Sequence, residues 1–156
     1  MNSLDKTRMN DRYLYRGKRL DNGKWVTGHL VGLRDNRYAI ATFLFSYGNQ
    51  LGFDDVCEKS IGQCTGLRDK NGNLIFEGDI VSDSKDGSYS EGYVGAVKWG
   101  ADTNDTYKSC SYRARLWAPG RVNCYERELS HQESQRWTII GNIHDNPKLL
   151  KGGEEE

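Results

Sequence analysis

Thr65-Gly66-Leu67-Arg68-Asp69-Lys70-Asn71-Gly72-Asn73-Leu74-Ile75-Phe76-Glu77-Gly78-Asp79-Ile80-Val81 is the stretch on which the reading of the fold turns. Asp69 to Asn73 is dense in residues that accept turn geometry, and Gly72 after Asn71 is the strongest local turn signal in the chain. Strand formers flank that turn on both sides, and a second break at Gly78 precedes Ile80-Val81. Short strands punctuated by Gly, Asn and Asp predict antiparallel sheets or a small barrel, and not alternating strand and helix units.

Toward the C-terminus the same punctuation continues. Ser82 to Gly92 reads as a loop, and Tyr93 to Trp99 as the antiparallel neighbour of Ile80-Val81, with Val97 and Trp99 on one face and Lys98 toward solvent. Tyr107 to Trp117 continues the sheet, and Pro119-Gly120 turns it. Val122 to Tyr125 reads as a short strand, Glu126 to Gln135 as polar or briefly helical, and Trp137 to Asn142 as the closing strand. Asp145 to Leu150 looks like a turn into a short helix with Pro147 at its first position. Five strands at this spacing are expected to close on themselves and hide their edges.

Toward the N-terminus, Tyr13 and Tyr15 alternate with Arg12 and Arg16, and Asp21-Asn22-Gly23 supplies a turn. Trp25 to Val31 and Arg37 to Phe45 follow, which makes a three-stranded meander. Tyr47 to Gly62 reads as a connection, because Gly48, Asn49, Gly52 and Asp54-Asp55 interrupt every period; Val56 to Lys59 has room for a helical turn. The chain is therefore expected to be mainly β with minor α. Residues 1–11 are a flexible lead-in, 12–62 the N-terminal antiparallel meander and connection, 63–150 the barrel, and 151–156 a disordered acidic tail.

A chain of 156 residues suits one or two small cores. Charged residues make up 28% and the apolar set 36%, with a mean hydropathy of -0.80, so polar loops are long relative to buried strands. No apolar run approaches the roughly 20 residues that cross a bilayer. Residues 1–10 lack the apolar middle of a secretion signal, so the expectation is a cytoplasmic protein without membrane partners. The formal net charge is zero but unevenly distributed: residues 1–37 carry nine Lys or Arg against four Asp or Glu, residues 54–105 five against eleven, and residues 106–127 five against one. Regions of opposite sign steer a charged partner, or attract one another within the fold or across a subunit contact.

Cys57, Cys64, Cys110 and Cys124 form no close Cys-x-x-Cys pair, and His29, His131 and His144 are scattered, so reduced thiols are expected and no structural metal or cofactor.

The run Thr65 to Val81 resembles the signature of the YopX-like family, and so does Val94 to Trp99 as its following strand. Ile139-Ile140-Gly141-Asn142-Ile143-His144-Asp145-Asn146-Pro147-Lys148-Leu149-Leu150 is similar to the same family's ending, and Tyr15 to Lys18 and Trp25 to Gly28 are also similar. The resemblance covers most of residues 12–150. It implies a phage or prophage protein with an SH3-like barrel in its C-terminal part and no established biochemical activity. The motif residues carried over are Thr65, Gly66, Asp69, Gly72, Glu77, Gly78, Asp79, Gly141 and Asn142.

Among chemical candidates, Glu77 and Asp79 flank Gly78 at a spacing that puts two carboxylates on one strand face, to hold a cation, to act as an acid and base pair, or to accept backbone N–H groups at a strand entrance. Asp69 to Asn73 lacks the spaced acids and the distal Glu of a calcium loop. Ser46, Ser60 and Ser130 have no strained Gly-x-Ser-x-Gly turn, so no catalytic site is assembled and an enzyme is not expected. Tyr107, Lys108, Tyr112, Arg113, Arg115, Trp117, Arg121 and Tyr125 interleave rings with cations. That pattern builds a single-stranded nucleic-acid surface, or an exposed strand face whose Arg stems cover neighbouring rings. A binding module for a protein partner or for its own copies is the leading expectation, with a nucleic-acid-binding barrel as the alternative.

Overall fold

The apolar runs within Trp25–Gly32, Tyr38–Leu44 and Val94–Ala101 become strands. A computed structural model of the chain describes residues 11–44, 50–83, 93–101, 110–117 and 125–150. It divides into two compact units, Met1–Gly66 and Leu67–Glu156. The lead-in through residue 10 and the tail from residue 151 lie outside the described residues, as do most of the loop before Tyr93 and the turn at Pro119-Gly120.

In the first unit, β1 (Tyr15–Lys18), β2 (Trp25–Gly32) and β3 (Tyr38–Leu44) form the expected antiparallel meander. Gly23 takes φ +68° in the β1–β2 turn, where the Asn22 side chain accepts the Lys24 N–H at 2.9 Å. A 3-10 turn, Arg34–Asn36, links β2 to β3. The expected connection after β3 is corrected: Gln50–Val56 is a fourth strand, β4, antiparallel to β3 along its whole length from Tyr38↔Val56 to Leu44↔Gln50. Backbone pairing overrides the poor strand propensity of Gly52, Asp54 and Asp55. A 3-10 turn at Glu58–Ser60 follows, where a helical turn was expected. β5 (Gly62–Arg68) pairs with β1 and carries the chain across the junction of the units. Ala39, Ile40, Ala41, Val56 and Cys64 are buried here. A single antiparallel bridge, Arg19↔Val56, joins the end of β1 to the end of β4.

In the second unit, β6 (Leu74–Phe76) precedes β7 (Asp79–Ser82), β8 (Val94–Ala101), β9 (Cys110–Trp117) and β10 (Tyr125–Glu128). A one-turn helix α1 (His131–Ser134), β11 (Thr138–Asn142) and a 3-10 turn at Pro147–Leu150 complete it. β10 takes residues that read as polar or helical, and α1 is confined to one turn. The antiparallel sheet runs β10-β9-β8-β7-β11. Among the described residues this sheet is open, with β10 and β11 at opposite edges, and the expected closure into a barrel is corrected accordingly. β11 registers with β7 with one irregularity between Ile139 and Gly141, while its Ile139 N–H goes to the Asp69 carboxylate and not to another strand.

The core of this unit is Ile75, Val81, Val97, Leu129 and Trp137, with Leu67, Tyr93 and Ile139 packed around it. Burial of each such large side chain is worth roughly 1.5 to 3 kcal/mol. Among the described residues no helix is long and apolar enough to cross a membrane.

Candidate functional site

The alternation along β4 decides what its outer edge presents. Val56 is buried, and Gly52 and Asp54 are half-buried, whereas Leu51, Phe53 and Asp55 point to solvent. Leu51 is 59% and Phe53 57% exposed, large values for apolar side chains two apart on one strand. Backbone groups alternate likewise. Beyond Phe53 the outer side is occupied: the Asp55 carbonyl accepts the Leu20 N–H at 2.9 Å, and the Cys57 N–H donates to the Lys18 carbonyl at 2.8 Å. By the same alternation, Leu51 and Phe53 turn their N–H and C=O outward, where no described residue bonds to them.

Beside this edge lies an open cleft of about 380 Å³, lined by Arg19, Leu20, Asp21, Phe53, Asp54 and Asp55. Arg19 grips Asp21 with two nitrogens, Nε to Oδ1 at 3.0 Å and Nη2 to Oδ2 at 2.7 Å, and reaches Asp54 with Nη1 at 3.2 Å. The hydrogen bonds from Arg19 hold the Asp21 carboxyl below its usual range, and those same bonds hold the Arg19 guanidinium above its own. Arg37 reaches Asp55 at 3.2 Å. Leu20, 61% exposed, joins Phe53 as the second apolar side chain of the lining. On β1 and β2, Arg16 and Lys18 stand over the Trp25 ring, at 4.8 and 5.6 Å from its centre.

The motif residues organise backbone in the second unit. Asp69 is 1% exposed, and its Oδ1 accepts the N–H groups of Asn71 and Asn73, both at 2.9 Å. Its Oδ2 accepts the Ile139 N–H at 3.2 Å and the Asn73 side-chain amide at 3.3 Å. Gly72 and Gly78 both take φ +84°. Glu77 and Asp79 do not converge on a common ligand: Asp79, 1% exposed, accepts the Phe76 N–H at 2.7 Å, and Glu77 accepts the Trp99 N–H at 3.1 Å. Gly141 packs beneath the Asn146 side chain, and Asn142 Oδ1 accepts the N–H groups of His144 and Asp145. In the first unit, Thr65 is buried, and Gly66 (φ +74°) lies directly against the Arg12 stem.

Of the basic and aromatic candidates, Tyr107, Lys108 and Arg121 lie outside the described residues. Tyr112, Arg113, Arg115 and Trp117 fall on β9 and Tyr125 on β10. The register sets Glu126 across from Arg115 and Glu128 across from Arg113, so each of these arginines has an acid as a cross-strand neighbour. Trp99, 50% exposed, stands across from Tyr112, and Lys98 across from Arg113.

Cys57 is half-buried and Cys64 buried, both as free thiols. Ser60 is buried in backbone bonds, donating to the Cys57 carbonyl and accepting the Lys18 N–H, and Ser46 is outside the described residues. His29, His131 and Ser130 are exposed, and His144 is half-buried. The β4 edge and the Arg19 cleft were not read from the sequence. The signal available was the alternation of Leu51 and Phe53 with Gly52 and Asp54.

The YopX protein family matches residues 14–151, nearly the whole of both units. The chain belongs to the YopX family. Among solved structures, the crystal structure of protein EF1440 from Enterococcus faecalis is similar to this YopX family member at 22% identity. That match covers 87% of this chain and 96% of the other, with a TM-score of 0.39. No curated protein matches the chain.

Proposed function

We propose that this YopX family member is a cytoplasmic phage or prophage accessory protein that works by binding protein, not by catalysis. The observation that carries the reading is the outer edge of β4, where Leu51 and Phe53 present exposed apolar side chains together with outward backbone groups. Such an edge takes an added strand: main-chain bonds give affinity and alternate side chains give selectivity. The second unit serves as an open form of the SH3-like barrel, supported by a last strand, β11, that returns beside the first, β7.

We keep the single-stranded nucleic-acid reading as the alternative, because the β9–β10 register pairs acidic with basic positions, Glu126 with Arg115 and Glu128 with Arg113, which supports the protein-binding reading first. The test uses tagged protein expressed in its native host and digested with nuclease before elution. Wild-type protein retains a protein partner, and the Leu51→Lys, Phe53→Lys double variant loses it; equal retention by both overturns the reading. Fluorescent oligonucleotides that bound at low salt and weakened on Trp117→Ala would favour the alternative.

A further inference from the structure

We infer that the β4 edge pairs with the β4 edge of a second copy of this chain, antiparallel, about a two-fold axis passing through Gly52. This rests on the reading of β4 as a binding edge and names its occupant. Antiparallel pairing across a two-fold axis places a residue opposite one equally far on the other side of the axis. With the axis at Gly52, Leu51 faces Phe53 of the second copy and Phe53 faces its Leu51. These are the outward-turned residues, so each copy offers partners to backbone groups that no described residue of the other bonds. The four apolar side chains come together on one face of the joined sheet, removing from water the surface that is now 59% and 57% exposed at Leu51 and Phe53.

Charge and existing bonds select this register over the one centred on Phe53. An axis at Phe53 would set Leu51 against Asp55 and require the outer side of Asp55, whose carbonyl already accepts the Leu20 N–H. An axis at Gly52 sets Asp54 against Gln50, so no acid faces an acid. The residue on the axis belongs to a non-hydrogen-bonded pair, where the two backbones approach to roughly 4.5 Å, and glycine suits that closest point. An extended partner of another sequence lacks this self-matching, which is why the second copy is the favoured occupant.

Sedimentation velocity of the full chain over a concentration series, beside amide exchange at Leu51 and Phe53, tests the inference. A concentration-dependent dimer is expected, with slowed exchange at those two amides as it forms. Leu51→Lys and Phe53→Lys are expected to keep the circular dichroism of the wild type and remain monomeric, while Leu33→Lys, at an exposed position in the β2–β3 link, dimerises normally. A wild-type chain that stays monomeric throughout overturns the inference, as does a dimer that survives both lysine variants or leaves the Leu51 and Phe53 amides unprotected. Should the lysine variants not fold, the wild-type exchange data decide alone. Failure here with partner capture still sensitive to Leu51 and Phe53 leaves the broader reading standing, whereas insensitive capture removes both.

Discussion

The Asp69 carboxylate accepts the backbone N–H of Ile139 at 3.2 Å, a bond between residues 70 positions apart. The same side chain closes the Asp69–Asn73 turn, so one buried acid both shapes a local turn and ties it to the last strand.

Removing that acid leaves the part-buried N–H groups of Asn71, Asn73 and Ile139 without this acceptor. Asp69→Ala is expected to lower the unfolding free energy by roughly 2 to 4 kcal/mol, and Asp69→Asn by less, because its amide oxygen still accepts. Urea titration checks both, and a loss under about 0.5 kcal/mol for the alanine variant would place it with ordinary surface changes.

Gly78 holds φ +84° while its N–H donates to the Val97 carbonyl and its C=O accepts the Ile143 N–H. Gly78→Val should destabilise by roughly 1 to 3 kcal/mol. Gly72→Ala also meets φ +84° but has open space around its added carbon, so it should lose only about 1 to 2 kcal/mol. Thermal unfolding of the pair checks the order, and an unchanged midpoint for Gly78→Val contradicts it.

A β-carbon at Gly141 would sit 2.6 Å from Asn146 Oδ1, the atom that accepts the Asn142 N–H at 3.3 Å. Gly141→Ala should therefore destabilise by about 1 kcal/mol by displacing the Asn146 side chain. Once Asn146→Ala has removed that side chain, the same change should be nearly neutral. A double-mutant cycle with additive effects rules out the contact as the cause.

Asp21 titrates below its ordinary 3.8 because of its hydrogen bonds from Arg19. A carboxyl depressed in the folded state adds stability above its unfolded value and loses it as pH falls through the lower folded one, so the window lies below about pH 4. The pair is solvent-exposed, and salt should weaken the effect. Carboxyl-carbon NMR should show the low midpoint, and Arg19→Gln should move it back up; an unmoved midpoint excludes Arg19 as the cause.

Turn chemistry was the most legible part of the fold. Asn22-Gly23, Asn71-Gly72 and Gly78 act locally, so their sequence context locates the breaks and, with them, the meander and the strands around Thr65 to Val81. β4 was hidden because strand periodicity is a signal of burial on one face. The exposed positions of this edge strand, Leu51 and Phe53, carry apolar residues, while half-buried positions carry Gly52 and Asp54. Its strand character comes from pairing with β3 and from Arg19 and Arg37 neutralising Asp54 and Asp55, none of which is local in sequence. The open second sheet was hidden for the same reason, since nothing near Ile139 in sequence announces that Asp69 takes its N–H. The basic stretch around Arg113 and Arg115 was visible as composition, but the acids opposite it appear only once the β9–β10 register is known.

The bridge between Arg19 and Val56 sets a limit on growth. An uncovered strand edge can recruit chain after chain, each arrival exposing a fresh edge, and runaway polymerisation is the usual hazard. Here residues 18–20 occupy the outer side of β4 from Asp55 to Cys57, so an added strand that ran past Phe53 would meet the protein's own backbone. The far end of the edge is thus a stop, and it bounds how far along β4 any visitor can pair.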